Sequence, residues 1–147
     1  MIAHETWLGV AKQISNDSKC VSMKVGCVLV HDGHVISTGV NGTPSGYTNC
    51  CDKFKERCPE HHEWSLKHEI HAELNSIIHR KGSLKKGTIA YVTHSPCFNC
   101  LKHLAASFVS EIHFIELYYR MTNAELQEIV DFCIEMNIKL VHYPDYV

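Results

Sequence analysis

Residues 71–100 read HAELNSIIHRKGSLKKGTIAYVTHSPCFNC, and this stretch decides the fold. Its apolar residues first recur at helical spacing until a glycine stops the pattern, which predicts a helix over 70–81. The side chains expected to face inward from this helix are those of Leu74, Ile77 and Ile78. An apolar, β-branched run then predicts a strand over 88–93, and Pro96 favours the start of a second helix over 97–107. A helix, a strand and a helix in this order indicate an α/β protein.

Similar patterns on either side extend this fold. Asp32-Gly33 joins two β-rich runs and favours the tight turn of a hairpin, because both residues tolerate positive φ. Thr122-x-x-Glu125 forms a capping box, which predicts the start of the last helix. The remaining predicted elements are a helix over 2–14, hairpin strands over 25–31 and 34–39, and strands over 111–117 and 138–141. Strands that alternate with helices in the second half predict a partly parallel sheet with helices on both faces, in one domain over 1–147.

Composition restricts the classes of protein to which this chain can belong. With 147 residues, 45% of them hydrophobic, it can bury one core. The net charge of −2 argues against a surface that tracks a nucleic-acid backbone, since such surfaces need a basic excess. A secretory signal and an apolar run of about 18 residues are both missing, so we expect a soluble, cytoplasmic protein. In that reducing compartment, eight Cys and twelve His favour metal ligation over disulfides.

Three residues of the central stretch have the spacing of a metal site. Cys97 and Cys100 lie at positions i and i+3 at the start of a helix, so both sulfurs share one face and the helix N-terminus favours their thiolate forms. His71 opens the preceding helix and supplies a third ligand. Three such ligands leave one position of a tetrahedral zinc ion open, which is typical of catalytic rather than structural sites.

Glu73 lies two residues after His71 and can reach the open position without binding the metal. Zinc lowers the pKa of a bound water from about 15.7 to about 7. A carboxylate at this place can take the proton of that water and deliver it to a substrate nitrogen, which suits attack on an amidine-like ring carbon and loss of ammonia. A structural zinc knuckle would have no use for this carboxylate. The pattern His-x-Glu followed by Pro-Cys-x-x-Cys is the established signature of zinc-dependent deaminases.

With these motifs the chain resembles the cytidine deaminase superfamily, and within it the phage-type deoxycytidylate (dCMP) deaminases. The segments that carry the resemblance are residues 18–26 (SKCVSMKVG), 41–46 (NGTPSG), 49–51 (NCC), 69–75 (EIHAELN) and 95–97 (SPC). The resemblance implies a three-layer α-β-α fold around a five-stranded mixed sheet. It also implies hydrolysis of dCMP to dUMP, the precursor for thymidylate synthesis, in the cytoplasm of the host if the chain is phage-encoded. The family pattern further includes a homohexamer, activation by dCTP with Mg²⁺ and inhibition by dTTP.

The resemblance also assigns roles to residues of this sequence. The catalytic zinc ligands are His71, Cys97 and Cys100, and Glu73 is the proton shuttle. The residues expected to hold the nucleotide are Asn41 and the Ala72 backbone for the pyrimidine, Ser22 and Lys24 near the 5′-phosphate, and Tyr118 packed on the nucleotide. The Asn41 amide offers both a donor and an acceptor to the pyrimidine, the Lys24 cation offers a charge to the phosphate, and the Tyr118 ring offers a stacking face to the nucleotide.

A second zinc ion is implied for the Cys- and His-rich segment before the catalytic helix. The resemblance assigns its ligands as Cys20, Cys50, His61 and Glu69. Residues 41–63 show little periodicity and are predicted to form a long loop. Such a site would pin residues 50–69 to the first helix–strand connection and close this costly loop. The spacing alone leaves other ligands open, namely Cys51, Cys58 and His62. A set of solvated histidines and free thiols without a metal is the remaining alternative.

The zinc-ligand and glutamate motifs are also compatible with other functions. The same chemistry on free cytidine, a riboflavin precursor, or a base of tRNA or single-stranded DNA is one alternative, and the last two would need a basic channel. A zinc-stabilised interaction module without catalysis is another. The sequence gives less support to regulation by dCTP and dTTP than to the deaminase activity. Regulated relatives commonly read Gly-Tyr-Asn-Gly, whereas residues 39–42 of this chain read Gly-Val-Asn-Gly, with Val40 in place of the tyrosine.

Overall fold

The structure, a computed structural model, describes residues 1–146. Its helices are α1 (His4–Ser15), α2 (Cys50–Lys53), α3 (Pro59–His68), α4 (Ala72–Ile78), α5 (Phe98–Ala106) and α6 (Asn123–Glu135). Its strands are β1 (Gly26–His31), β2 (His34–Val40), β3 (Thr88–His94), β4 (Val109–Glu116) and β5 (Lys139–His142). Across residues 1–146, no helix has the length and apolar character that a membrane crossing requires.

The five strands form one mixed sheet in the order β2-β1-β3-β4-β5. β1 pairs antiparallel with both β2 and β3, whereas β3–β4 and β4–β5 are parallel. The β1–β2 turn has positive φ at Asp32 (50°) and Gly33 (76°), as a tight hairpin of this sequence requires. The predicted mixed, five-stranded α/β fold is therefore confirmed.

Helices cover both faces of the sheet. On one face, α1 packs Trp7, Leu8 and Ala11 against a cluster that includes Val28 and Tyr91. α4, α5 and α6 cover the opposite face. Their buried side chains there are Ala72, Leu101, Leu104, Ile129 and Cys133, which pack against Cys27, Leu29, Ala90, Val92 and Ile112 of the strands. The functional elements α4 and α5 thus lie side by side on one face.

The structure corrects two of the expected elements. The segment 41–63 contains α2 and the start of α3, although its polar sequence shows no helical periodicity. Cys58 explains part of this difference, because its sulfur accepts the His61 N–H at the start of α3, where Pro59 also favours helix. The helix predicted over 70–81 ends at Ile78, whose side chain is 59% exposed instead of buried.

A polar network is buried under α1 on the first face. The His113 ring is stacked against those of His4 and Tyr91, with ring centroids 4.2 and 5.1 Å away, and the His4 and Tyr91 centroids lie 5.8 Å apart. The Nδ1 atom of His113 lies 2.9 Å from the Tyr143 hydroxyl and its Nε2 lies 3.1 Å from Glu111. Burial is the main cause that lowers the pKa of His113 below its ordinary value, and the Glu111 hydrogen bond opposes it.

Candidate active site

Three donor atoms meet where α4 and α5 begin. His71 and Cys97 are the N-cap residues of these helices, and Cys100 lies in the first turn of α5. The Nδ1 atom of His71 lies 3.2 Å from the Cys100 sulfur and 3.5 Å from the Cys97 sulfur. All three donor atoms lie within 4.8 Å of one another, so the nitrogen and the two sulfurs can hold one ion of the kind that prefers such ligands.

The two cysteines shift each other's pKa in opposite directions when no metal is bound. The hydrogen bond from Cys100, followed by that from His71, lowers the pKa of Cys97 to about 4 against the effect of burial. The same hydrogen bond to Cys97, together with burial, raises the pKa of Cys100. The Cys100 backbone N–H also points at the Cys97 sulfur, 3.4 Å away. The lowered pKa of Cys97 favours its thiolate, which is the form that binds a metal ion.

Glu73 lies beside this cluster in the first turn of α4. Its side chain is buried, with the residue only 4% exposed, and burial raises the pKa of its carboxyl to about 7. His71 partly opposes this effect by attraction. A carboxyl group with a pKa near neutrality can both accept and return a proton under ordinary conditions.

Contacts with β2 fix the start of α4. Gly42 and Ile70 exchange two backbone hydrogen bonds, with N···O distances of 3.0 and 2.8 Å. The Asn75 side chain donates to the Val40 carbonyl at 2.8 Å. Gly39 allows the close approach, since a Cβ atom there would lie 2.4 Å from the Ala72 carbonyl oxygen. His71 and Glu73 thus lie between a pair of backbone hydrogen bonds at Ile70 and a side-chain hydrogen bond at Asn75.

A cavity opens in front of the donor atoms. Both His71 and Glu73 line it, and so do four of the residues expected to bind substrate: Ser22, Asn41, Ala72 and Tyr118. The Tyr118 N–H donates to the Ser95 hydroxyl at 2.9 Å, which holds the loop after β4 over the cavity. The sequence motifs, which are far apart along the chain, therefore meet around one space.

Lys24, which is expected near the 5′-phosphate, lies outside the cavity wall in this structure. Its ammonium group is directed at the Asn16 carbonyl, 3.5 Å away. That carbonyl belongs to the C-terminal end of α1, where the helix dipole attracts a cation. Asn41 lines the cavity, but its amide also braces the backbone. It accepts from the Val25 N–H and donates to the Met23 carbonyl, each at 2.8 Å.

A second cluster of donor atoms borders the same cavity. It consists of Cys20, Cys50, His61 and Glu69, whose donor atoms lie within 4.8 Å of one another. The Nε2 atom of His61 lies 3.8 Å from the Cys20 sulfur and 3.6 Å from the Glu69 carboxylate. The Glu69 side chain is 4% exposed, and neither of its oxygens has a hydrogen-bond partner among residues 1–146. A buried carboxylate that accepts no hydrogen bond is costly, so a cation suits this cluster.

The alternative ligands lie outside this cluster. Cys51 is exposed, and the Cys58 sulfur caps α3. His62 lines the main cavity but is not among the residues whose donor atoms converge. Burial raises the pKa of Cys20, and it raises that of Cys50 to about 12, so both thiols keep their protons until a metal displaces them.

Some residues around the cavity are missing from the predicted site. His94, at the end of β3, lines the cavity and contacts Glu116 at 3.2 Å. Tyr119 also lines it, and the guanidinium groups of Arg57 and Arg120 contact its ring. The sequence feature that could have indicated Tyr119 and Arg120 is the Tyr-Tyr-Arg run directly after the fourth predicted strand. Arg57 lies in a segment without periodicity and carried no signal.

Comparison with known proteins agrees with this geometry. The family model described as the cytidine and deoxycytidylate deaminase zinc-binding region matches residues 1–116. The deoxycytidylate deaminase of Enterobacteria phage T4 is 38% identical over 77% of each protein. That of Mycobacterium phage D29 is 31% identical over 74% of this chain and 90% of the relative. The crystal structure of dCMP deaminase from cyanophage S-TIM5 in complex with dCMP and dUMP has a TM-score of 0.73 and 28% identity, and the match covers 94% of both chains. The chain thus belongs to the cytidine and deoxycytidylate deaminase family.

Proposed function

We propose that this protein hydrolyses dCMP to dUMP and ammonia and thereby supplies the precursor for thymidylate synthesis. One observation carries the proposal: a buried carboxyl, Glu73, shares a cavity with a three-ligand cluster that leaves a metal position open. The family relation supports the chemistry. The phage relatives named deoxycytidylate deaminase, and the related crystal structure with dCMP and dUMP, support this substrate.

His71, Cys97 and Cys100 are the proposed ligands of the catalytic zinc ion. When bound, zinc supplies the Lewis acidity that makes water nucleophilic at neutral pH. Glu73 takes a proton from the water that attacks C4 and returns it to the pyrimidine, so that ammonia can leave. Its burial beside the ligands keeps the carboxyl in position and excludes bulk water.

The cavity wall supplies the proposed substrate contacts. Asn41 is anchored by two hydrogen bonds, but its amide retains a second N–H and a second lone pair that can meet the pyrimidine. The Ala72 backbone lies at the same wall, and Ser22 and Tyr118 line the remainder. The anchoring of Asn41 fixes the orientation of its amide, which supports recognition of one face of the base.

A second, structural zinc ion is proposed at Cys20, Cys50, His61 and Glu69. The orphaned Glu69 oxygens and the convergence of two sulfurs, an imidazole and a carboxylate support this ligand set. The ion would join α2 and α3 to the loop between α1 and β1. Because His61 and Glu69 also line the substrate cavity, this zinc would brace the cavity wall.

We also propose the regulated assembly of the family for this chain, namely a homohexamer activated by dCTP with Mg²⁺ and inhibited by dTTP. Exposed apolar side chains such as Ile134, which is 72% exposed, are compatible with contact between copies. Val40 argues against effector binding, because regulated relatives commonly have a tyrosine at this position. Initial rates over a range of dCMP concentrations, with and without dCTP and Mg²⁺, test this regulation. Hyperbolic curves that dCTP does not change would mean that there is no activation.

We also propose a cytoplasmic location, which the eight free cysteines fit.

A substrate panel tests the proposed function. The purified protein is incubated separately with dCMP, CMP, dCTP, cytidine and a cytosine-containing oligonucleotide, and loss of absorbance and release of ammonia are measured. We expect dCMP to give the highest kcat/KM and one ammonia per dUMP formed. Preferred turnover of the oligonucleotide would favour a base deaminase instead. The absence of turnover in a zinc-loaded protein would favour a non-catalytic module, in which Glu73 has no function.

A further inference from the structure

Three potential metal ligands meet under α1, on the face of the sheet opposite the active site. His4 is the first residue of α1, and Glu111 and His113 lie two positions apart on β4, so the last two share one face of the strand. One donor atom from each of the three residues lies within 4.8 Å of the others. Two imidazoles and a carboxylate are ligands that zinc and other first-row divalent metals use.

His113 and Glu111 stand close to the separation of two ligands of one ion. The Nε2 atom of His113 lies 3.1 Å from a carboxylate oxygen of Glu111. Two ligands of a tetrahedral ion with bonds of about 2.1 Å lie about 3.4 Å apart. Burial lowers the pKa of His113, which favours the neutral ring that a metal ion requires. If that ring carries its proton on Nδ1, the Nε2 lone pair faces the carboxylate, and a cation is needed between them.

Tyrosine hydroxyls contact the other nitrogen of each ring. The Nδ1 atom of His113 lies 2.9 Å from the Tyr143 hydroxyl, and the Nδ1 atom of His4 lies 2.7 Å from the Tyr91 hydroxyl. A histidine that binds a metal usually makes such a hydrogen bond through its second nitrogen, because the bond fixes the tautomer and the ring orientation. Both Nδ1 atoms can donate to these hydroxyls, which leaves the Nε2 atoms available to an ion.

The charges near the cluster favour a cation. Burial is the first cause that raises the pKa of Tyr91 to about 12, and the negative charges of Glu111 and Glu5 add to it. Lys139 lies opposite Glu111 in the register of β4 and β5, and its charge acts on His113. Two carboxylates against one ammonium group leave a net negative charge, which attracts a metal cation.

The cluster can be reached from the solvent. The Glu111 side chain is 28% exposed, whereas that of His113 is 1% exposed, so an ion would enter at the carboxylate and be held at the buried ring. The stacked rings of His4 and His113 have planes 20° apart, so one ring must tilt before both point at one ion. His4 is only partly buried at the start of α1, and its ring is therefore the one that can tilt.

We infer that His4, Glu111 and His113 bind a first-row divalent metal ion, with Tyr91 and Tyr143 as positioning residues. The ion would fasten the start of α1 to β4. The inference is independent of the proposed function, because none of these five residues, all within the described part of the chain, lines the catalytic cavity.

The test adds Co²⁺ to the zinc-loaded full chain and measures bound cobalt after dialysis, together with visible absorbance. We expect one Co²⁺ per chain beyond the zinc already held, with d–d bands but no thiolate-to-cobalt charge transfer, because the site contains no cysteine. His4→Gln and Glu111→Gln should each weaken this binding at least a hundredfold. Tyr143→Phe should weaken it about 10–100-fold, as the loss of a hydrogen bond to a metal ligand typically does.

His34→Gln is the matched control, because His34 is an exposed histidine on β2 that lies outside the cluster. It should bind cobalt as the wild type does. Wild-type protein that binds no cobalt beyond its zinc would overturn the inference and leave the cluster as a hydrogen-bond network. Unchanged binding in both ligand variants, equal loss in His34→Gln, or cobalt seen only with thiolate charge transfer would overturn it by placing the ion elsewhere. Circular dichroism and an unchanged zinc content establish that each variant is folded, and Glu111→Gln alone decides if His4→Gln is not.

Discussion

Replacing Cys50 with serine removes one of four buried donor atoms while leaving the chain almost the same in volume. Cys50 starts α2, and its sulfur accepts the Val21 N–H at 3.3 Å, a contact that a serine hydroxyl can also accept. What serine cannot supply is a thiolate for the second zinc. The Glu69 carboxylate would then be buried without its metal ion, with no hydrogen-bond donor among residues 1–146 and the His61 ring nitrogen 3.6 Å away.

The expected loss of stability follows from the binding free energy of the metal. If wild-type protein is saturated at a free zinc concentration 1,000 times its dissociation constant, binding contributes about 4 kcal/mol. In a domain of this size each kcal/mol corresponds to about 2–4 °C, so Cys50→Ser should lower the midpoint of thermal unfolding by about 8–16 °C. The difference between the two proteins should shrink once a chelator has removed the zinc from both.

The assay combines elemental analysis with thermal unfolding followed by circular dichroism. Cys51→Ser is the matched control, because Cys51 is the next residue of the same helix and is exposed. We expect one zinc fewer per chain in Cys50→Ser and no change in Cys51→Ser. Two zinc ions and a wild-type midpoint in Cys50→Ser would refute the structural zinc site, and zinc loss in Cys51→Ser would refute this choice of ligands.

Three further changes test separate parts of the structure. Gly39→Ala should lower the free energy of unfolding by about 1–3 kcal/mol, because its Cβ would lie 2.4 Å from the Ala72 carbonyl oxygen. Denaturant unfolding against Gly42→Ala, where nothing lies within 4 Å, measures the difference, and equal values would contradict the close packing of β2 and α4. Cys97→Ser should lose one zinc and all turnover in metal and activity assays, and a wild-type rate would contradict its role as a ligand. His113→Phe should remove a pH-dependent part of stability. The native pKa of His113 lies below its ordinary value of 6.5, so the unfolded chain binds more protons there. Its contribution is present above pH 6.5 and is lost as the pH falls through the native pKa, so parallel stability–pH curves for the two proteins would contradict the shift.

The order of the elements could be predicted because apolar periodicity is local. The hairpin at Asp32-Gly33 is present, and so is one of the two hydrogen bonds of the predicted capping box, from the Glu125 N–H to the Thr122 hydroxyl. Helices α2 and α3 could not be found in this way. Their sequence is polar. The start of α3 is capped by Cys58, and Cys50 of α2 and His61 of α3 are the buried residues of the two helices and belong to the donor cluster.

The site was predictable to the extent that short motifs define it. His71 and Glu73 lie in one turn, as do Cys97 and Cys100, so their spacing already places them together. The contact of Arg57 with Tyr119 depends on tertiary structure, since the loop between α2 and α3 must meet the loop after β4. The direction of a long cationic side chain, as at Lys24, likewise depends on the nearest carbonyl group in space.

The most direct test of the catalytic proposal is the rate of dCMP deamination by Glu73→Gln. Glutamine keeps the shape of the buried side chain but cannot carry the proton. Compared with wild-type protein at the same zinc content, we expect kcat to fall by about 10²–10⁴-fold, the range typical of general acid–base catalysis. A Glu73→Gln enzyme that holds its zinc and deaminates dCMP within a few-fold of the wild-type rate would contradict the account.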